Sequence, residues 1–393
     1  LCDGFSHIYH YRRHFRKSRA TKASPVALRT VYPMSIDTSL QDLEAVLSLP
    51  SRSKDESSRL VPSSMPSCFT WDYSRSGMSL DRLYEKAKRS QWNATTDLPW
   101  DTEVDQERQA AMAMASKAGF ESVDWSHSPV ALWGDKEWLE FSMLSQQWSL
   151  SQFLHGEQGA LICSSRLVEV VPSYEAKLYA STQVVDEARH VEVFARYTNE
   201  KLGGQFQINA HLGALIEDVL QDSRWDMVYL GMQVMIEGLA LAAFGYMYQL
   251  SQEPLLKQLL RYVMSDEARH VAFGTLSLQE VYASLSSKEL SERAEFAFEA
   301  SLRMRDRFLQ QEVWEHMGVD PKKIVPLVLN NPDRQLFQSL LFAKIVPNCR
   351  KLGLLDANNN WLRDRFDTIG VLGFEHADST DAEVSAGAFD LAV

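Results

Sequence analysis

From Trp71 onward, apolar side chains recur three and four positions apart over long stretches, prolines are sparse, and the period-two alternation of strands is nearly absent. That is the signature of amphipathic helices. The pattern predicts helices over residues 79–91, 104–118, 135–169, 172–202, 207–220, 223–252, 254–285, 287–317 and 333–351. Pro172 and Pro254 stand where first-turn prolines belong, and Gly203-Gly204 sits where a helix stops. No break in composition separates Trp71 from Gly373, so residues 66–373 read as one helical domain. Ser, Pro and charge dominate residues 1–65, and small and acidic residues dominate 374–393; both segments are expected to be disordered.

Composition narrows the function. The 393 residues are 45% hydrophobic, enough for a large core in a soluble globular protein, and the net charge of −12 argues against nucleic acid as a partner. Four scattered cysteines form no CxxC pair, so neither a disulfide framework nor a thiolate metal site is suggested, and a reducing, cytoplasmic compartment fits best. The apolar stretch from Met227 to Leu250 is long enough to cross a membrane, but Gln233 and Glu237 near its middle favour a buried bundle helix. The first 33 residues carry seven Lys or Arg against Asp3 alone, the balance of a transit peptide or of sequence upstream of a start at Met34.

The chemistry lies in a repeat. "VVDEARHVEVF" begins at Val184 and "MSDEARHVAFG" at Met264, so the pentapeptide DEARH occurs twice. Three residues are nearly one helical turn, so Glu187 and His190 project from one helix face, and so do Glu267 and His270. A carboxylate and an imidazole side by side suit iron, manganese or zinc, and two such pairs suggest two metals. A dinuclear site then needs two further buried carboxylates. Glu157 lies among Phe153, Leu154, Ala160 and Leu161, and Glu237 among Val234, Leu241 and Phe244; a lone carboxylate on such a stripe is costly unless it is paired or metal-bound. Glu157 precedes Glu187 by 30 residues, and Glu237 precedes Glu267 by 30. Each hairpin therefore climbs roughly 22 Å and returns to the same level, and two hairpins face to face make a four-helix bundle, over about residues 135–285, with the metals at its centre.

The order Glu, ExxH, Glu, ExxH, covering Leu139 to Phe273, resembles the ferritin-like di-iron carboxylate oxygenase superfamily: bacterial multicomponent monooxygenase hydroxylases, acyl-carrier-protein desaturases, arylamine N-oxygenases and ribonucleotide reductase small subunits. The resemblance implies an all-α, ferritin-like four-helix bundle with additional flanking helices. It implies two iron ions, with Mn/Fe or Mn as variants: Glu157, Glu187 and His190 serve one, Glu237, Glu267 and His270 the other, and some carboxylates bridge. It also implies that aspartate and arginine of the motif pair across the helices, with Asp186 near His270 and Arg269, and Asp266 near His190 and Arg189.

Departures from each branch narrow the chemistry. Phe194 stands where a tyrosyl-radical subunit has its tyrosine, Leu241 where many monooxygenase hydroxylases have threonine, and Val263 where arylamine N-oxygenases have an extra histidine. The chain is also much longer than a ferritin. The expected activity is an O2-dependent di-iron hydroxylation or oxygenation of a small or carrier-bound organic substrate. Electrons come from a separate reductase or ferredoxin, because no flavin, nicotinamide or iron–sulfur motif is present. Phe153, Leu154, Phe194, Leu241, Phe244 and Phe273 are the candidate lining of a hydrophobic or aromatic substrate pocket, with ordinary core as the bland reading. A homodimer is an expectation by analogy. The competing classes are a ferroxidase or peroxide-consuming di-iron protein, and a metal-free ferritin-like scaffold.

Overall fold

Two long helical hairpins form the centre of the molecule. Helices α1 (Ser79–Arg89) and α2 (Gln106–Ala115) precede them. The first hairpin is α3 (Asp135–Val170) and α4 (Tyr174–Lys201), the second α6 (Trp225–Leu250) and α7 (Pro254–Tyr282), and α5 (Ala210–Gln221) joins them. The computed structural model describes residues 46–49, 58–63, 65–74, 79–115, 124–329 and 337–391. The chain divides into Leu1–Asp37 and Thr38–Val393, and every described residue lies in the second unit. The expected disordered arm over residues 1–65 therefore falls largely outside the described residues, which contain helices and no strand.

Local chemistry sets the helix ends. The connections inside both hairpins are three residues long, which forces antiparallel neighbours. Ser173 accepts a hydrogen bond from the Ala176 amide, so α4 begins after Pro172, and that proline precedes the cap instead of occupying the first turn. Pro254 does sit in the first turn of α7, where Glu253 accepts from the amides of Leu255 and Leu256. Gly203 and Gly204 end α4 with φ of 77° and 149°, which side-chain-bearing residues avoid.

In α6 the seven residues Leu230–Ile236 form a π-helical segment immediately before Glu237. Gly274 of α7 faces it so closely that a Cβ there would lie 2.6 Å from the Gln233 Cβ. Helix α6 is long and apolar enough to cross a membrane, and 89% of its most apolar window is buried inside the protein.

Three further expectations change. The helix anticipated over 287–317 splits into α8 (Ser287–Asp306), a 3-10 turn at Arg307–Leu309, and α9 (Gln311–His316), because Gln310 adopts φ 55°. The break drives Arg307, Phe308 and Leu309 inward, each no more than 4% exposed. After α10 (Pro321–Leu329), the described part of the helix expected over 333–351 is interrupted at Lys344. Pro347 explains this, since its ring clashes with the carbonyl four residues earlier; the chain re-enters helix as α11 (Ile345–Lys351).

Third, the tail beyond α12 (Ala357–Thr368), expected to be disordered over 374–393, is held through residue 391 and contains α13 (Thr380–Ser385). Thr380 is fully buried and exchanges hydrogen bonds with Asn348, and Asp381 and Glu383 pair with Lys351 and Lys344. These partners are distant in sequence, so composition alone could not reveal them.

Candidate metal centre

Each helix of the two hairpins contributes to one buried cluster. Glu157 comes from α3, Glu187 and His190 from α4, Glu237 from α6, and Glu267 and His270 from α7; none is more than 5% exposed. His190 Nδ1 lies 2.9 Å from Glu267 Oε1, 3.2 Å from Glu157 Oε2 and 3.3 Å from Glu187 Oε2. His270 Nδ1 lies 3.0 Å from Glu187 Oε1, 3.6 Å from Glu267 Oε2 and 3.9 Å from Glu237 Oε2. Two groups of four result: Glu157, Glu187, His190, Glu267, and Glu187, Glu237, Glu267, His270. Glu187 and Glu267 belong to both, each turning one oxygen to each histidine. A carboxylate shared in this way has the shape of a bridge between two cations.

The far side of each imidazole is equally defined. His190 Nε2 is 3.2 Å from Asp266 Oδ2, and His270 Nε2 is 3.2 Å from Asp186 Oδ2. An ionised aspartate only accepts, so Nε2 carries a hydrogen, and Nδ1 is the nitrogen that faces the glutamates, able to give its lone pair to a cation once its own proton is displaced. Arg189 pairs with Asp186 and, at 3.1 Å, with Asp266; Arg269 pairs with Asp266 and lies 3.5 Å from Asp186.

Sequence reasoning missed other polar partners. Trp92 donates its indole N–H to Asp266 Oδ2 at 2.7 Å, and Gln91 donates to Asp186 Oδ1 at 3.1 Å. Gln183, fully buried, donates to Glu187 at 3.0 Å and Glu237 at 2.9 Å. Gln183 stands one turn before Glu187 on the same face, a signal the sequence did contain.

The electrostatics are those of a crowded anionic pocket. Burial, then the neighbouring Glu267, pushes the Glu157 carboxyl well above its ordinary value; burial and then Glu187 do the same to Glu237. Burial opposes charge on Glu187 too, yet His270 and His190 hold it low. Burial alone would lower both imidazoles, but the carboxylates around them, led by Asp266 for His190 and Glu187 for His270, push both well above the usual histidine range.

The donors fit a metal pair. Glu187 Oε2, Glu237 Oε2, both Glu267 oxygens and His270 Nδ1 are buried without a hydrogen-bond partner, although nitrogen and oxygen approach to 2.9 Å. Such atoms aim at a common gap rather than at one another. Oxygen and nitrogen donors of this kind suit iron and manganese.

Beside the glutamates lies a cavity of about 20 Å³, lined by Phe153, Gly156, Ala240 and Arg307 among others. Of the six apolar residues proposed as pocket lining, only Phe153 borders it. Phe194 and Phe244 stack on each other and pack tilted and edge-on against Phe153 in the core, Leu154 and Leu241 are buried, and Phe273 packs against Tyr179 and Tyr229. His155 points away, to the Phe206 carbonyl at 2.9 Å.

Comparison with known proteins adds to this geometry. The family described as P-aminobenzoate N-oxygenase AurF matches residues 166–353, just under half of the chain and including both DEARH motifs. Over that span, which holds five of the six clustered Glu and His residues, the chain is similar to this oxygenase family. The match to an oxygenase family together with the buried carboxylate–histidine cluster makes it an oxidoreductase with a metal cofactor, and the donor set suits iron or manganese. Among solved structures, this chain is similar to an R2-like ligand-binding oxidase with aerobically reconstituted metal cofactor after photoconversion. That likeness has 18% identity over 70% of this chain and 93% of that one, with a TM-score of 0.47. The same oxidase with aerobically reconstituted Mn/Fe cofactor gives 18% identity, 67% and 93% coverage, and a TM-score of 0.42. No curated protein matches.

Proposed function

We propose that this protein is an O2-dependent oxygenase of a small organic substrate, in which Glu157, Glu187, His190, Glu237, Glu267 and His270 hold two iron ions. The observation that carries the reading is the orientation of the two histidines. Each is fixed at Nε2 by a buried aspartate, so both Nδ1 atoms converge with four carboxylates on two adjacent points. A bundle that kept these residues only for ion pairing would have satisfied its glutamate oxygens internally.

When bound, the metal pair supplies the electrons that reduce dioxygen. The protein's own residues do the rest. Asp186 and Asp266 hold the imidazole tautomers, Arg189 and Arg269 neutralise those aspartates, and Gln183 orients Glu187 and Glu237. Phe153, Phe194 and Phe244 exclude water from one side of the centre. Electrons come from a separate reductase or ferredoxin, in a reducing, cytoplasmic setting that suits the buried free thiols Cys68, Cys163 and Cys349.

The matching family's name supports arylamines as first substrates to try, although Val263 occupies the position of the N-oxygenases' additional histidine and is fully buried. The experiment is single-turnover reaction of the Fe(II)-loaded, reduced protein with O2 and a panel that includes p-aminobenzoate, followed by mass spectrometry. An oxygenated organic product at about one equivalent per metal pair supports the reading. Ferric iron accumulating without organic product makes the protein a ferroxidase, and absence of metal binding makes it a scaffold.

A further inference from the structure

Four buried arginines near the bundle core each have a carboxylate: Arg189 with Asp186, Arg269 with Asp266, Arg293 with Asp226, and Arg303 with Asp218. Arg307 does not. It turns inward from the 3-10 turn after α8, is 2% exposed, and borders the cavity beside Glu157, Glu237 and Glu267. Its Nε is buried and unpartnered; the guanidinium lies over the ring of the adjacent Phe308, 4.6 Å from the centroid, but among the described residues no ion pair or hydrogen bond reaches it. Burial pushes it down to about 9 against the pull of Glu157. A buried unpaired cation is expensive to keep.

Charge counting says what it awaits. Two divalent metals balance Glu157, Glu187, Glu237 and Glu267. Asp186 and Asp266 balance Arg189 and Arg269, and the two imidazoles are neutral as ligands. One positive charge remains, and it is on Arg307.

Shape points the same way. Gly156 interrupts the middle of α3 at a cost in helix propensity. A Cβ there would meet nothing within 4 Å, and Gly156 and Ala240 are both half-buried where the cavity nears the surface. The cavity has room for a water-sized group, so what enters it is the head of a ligand rather than its body.

We propose that Arg307 is the anion anchor of this site, holding the carboxylate of a small monoanionic substrate that enters past Gly156 and Ala240. The proposal rests on the dinuclear reading above, because without two cations the three glutamates repel an anion. Arg307 is a binding residue here and takes no part in holding the metals.

The test uses full-length protein loaded with Mn(II), with metal content measured first, and titrates benzoate against its neutral isostere benzamide by calorimetry. Wild type binds benzoate at least about tenfold more tightly than benzamide. Arg307→Gln loses that preference by about tenfold or more, keeps two metals per chain, and unfolds at a temperature no lower than wild type, because it removes an unpaired buried charge. Arg307→Lys retains part of the preference, and Gly156→Leu, which leaves every charge in place, weakens both ligands. Benzoate binding by Arg307→Gln within about twofold of wild type, or no preference in wild type, overturns the proposal. So does a lower unfolding temperature for Arg307→Gln, which would give the arginine a structural role. Wild type that takes up no Mn(II) defeats the dinuclear reading itself, a separate result.

Discussion

At the residue scale, Glu187 and Glu267 matter most, because each faces both histidines. Glu187→Ala is expected to lower metal content from about two per chain to one or fewer, read by elemental analysis after dialysis. Retention of two would mean that the shared carboxylate is dispensable. Asp186→Asn and Asp266→Asn keep size but lose the charge that fixes the Nε2 hydrogen, so metal affinity is expected to fall about 10–100-fold, measured by competition with a chelator. The six ligand candidates were legible because ExxH spacing and an apolar-flanked glutamate are local signals. Gln91 and Trp92 were not, since the carboxylates they contact lie 95 and 174 residues away. Arg307 was invisible for the same reason: nothing in "RMRDRFL" distinguishes an inward arginine from a solvated one.

At the element scale, the hairpins followed from periodicity, equal spacing and short connections. The breaks were harder to see. Gln310 takes a left-handed conformation inside a pattern that reads as continuous helix, and the π segment of α6 leaves no mark in an apolar run. Pro347 and the Asp320-Pro321 start of α10 left local signals that the periodicity passed over: a ring without an N–H and an aspartate cap act locally, yet the apolar pattern read straight through the first and did not mark the second. The contact between α6 and α7 depends on Gly274. Gly274→Ala places a methyl 2.6 Å from the Gln233 Cβ and is expected to cost about 1–3 kcal/mol, read as a lower urea midpoint with unchanged slope. An unchanged midpoint would show that the π segment shifts freely.

At the scale of the whole molecule, metal and proton compete for the same interior. His190, His270, Glu157 and Glu237 all hold protons more tightly in the metal-free fold than in the unfolded chain. Their contribution to metal-free stability is therefore complete below their unfolded values and is lost as pH rises through the raised folded ones. Glu187 and Asp266, held low, stay charged throughout that range. Metal must displace the protons, so its stabilisation grows with pH. The gap in unfolding temperature between metal-loaded and metal-free protein is expected to widen from about pH 6 to about pH 8, and a narrowing gap would contradict the arrangement. The C-terminal segment is a second whole-molecule element: truncation after residue 378 removes the partners of Asn348, Lys344 and Lys351. It is expected to lower the unfolding temperature by several degrees, where a disordered tail would leave it unchanged.

The sequence by itself determined the helical class, the two hairpins and the six candidate ligands, because all of these rest on spacings along a single helix or within one hairpin. Only the tertiary structure decided which oxygens are shared between the histidines, which donors lie behind the aspartates, that the tail is held, and that one arginine faces the site unpaired. Those properties depend on side chains brought together from distant segments, and no local pattern encodes the distance between them.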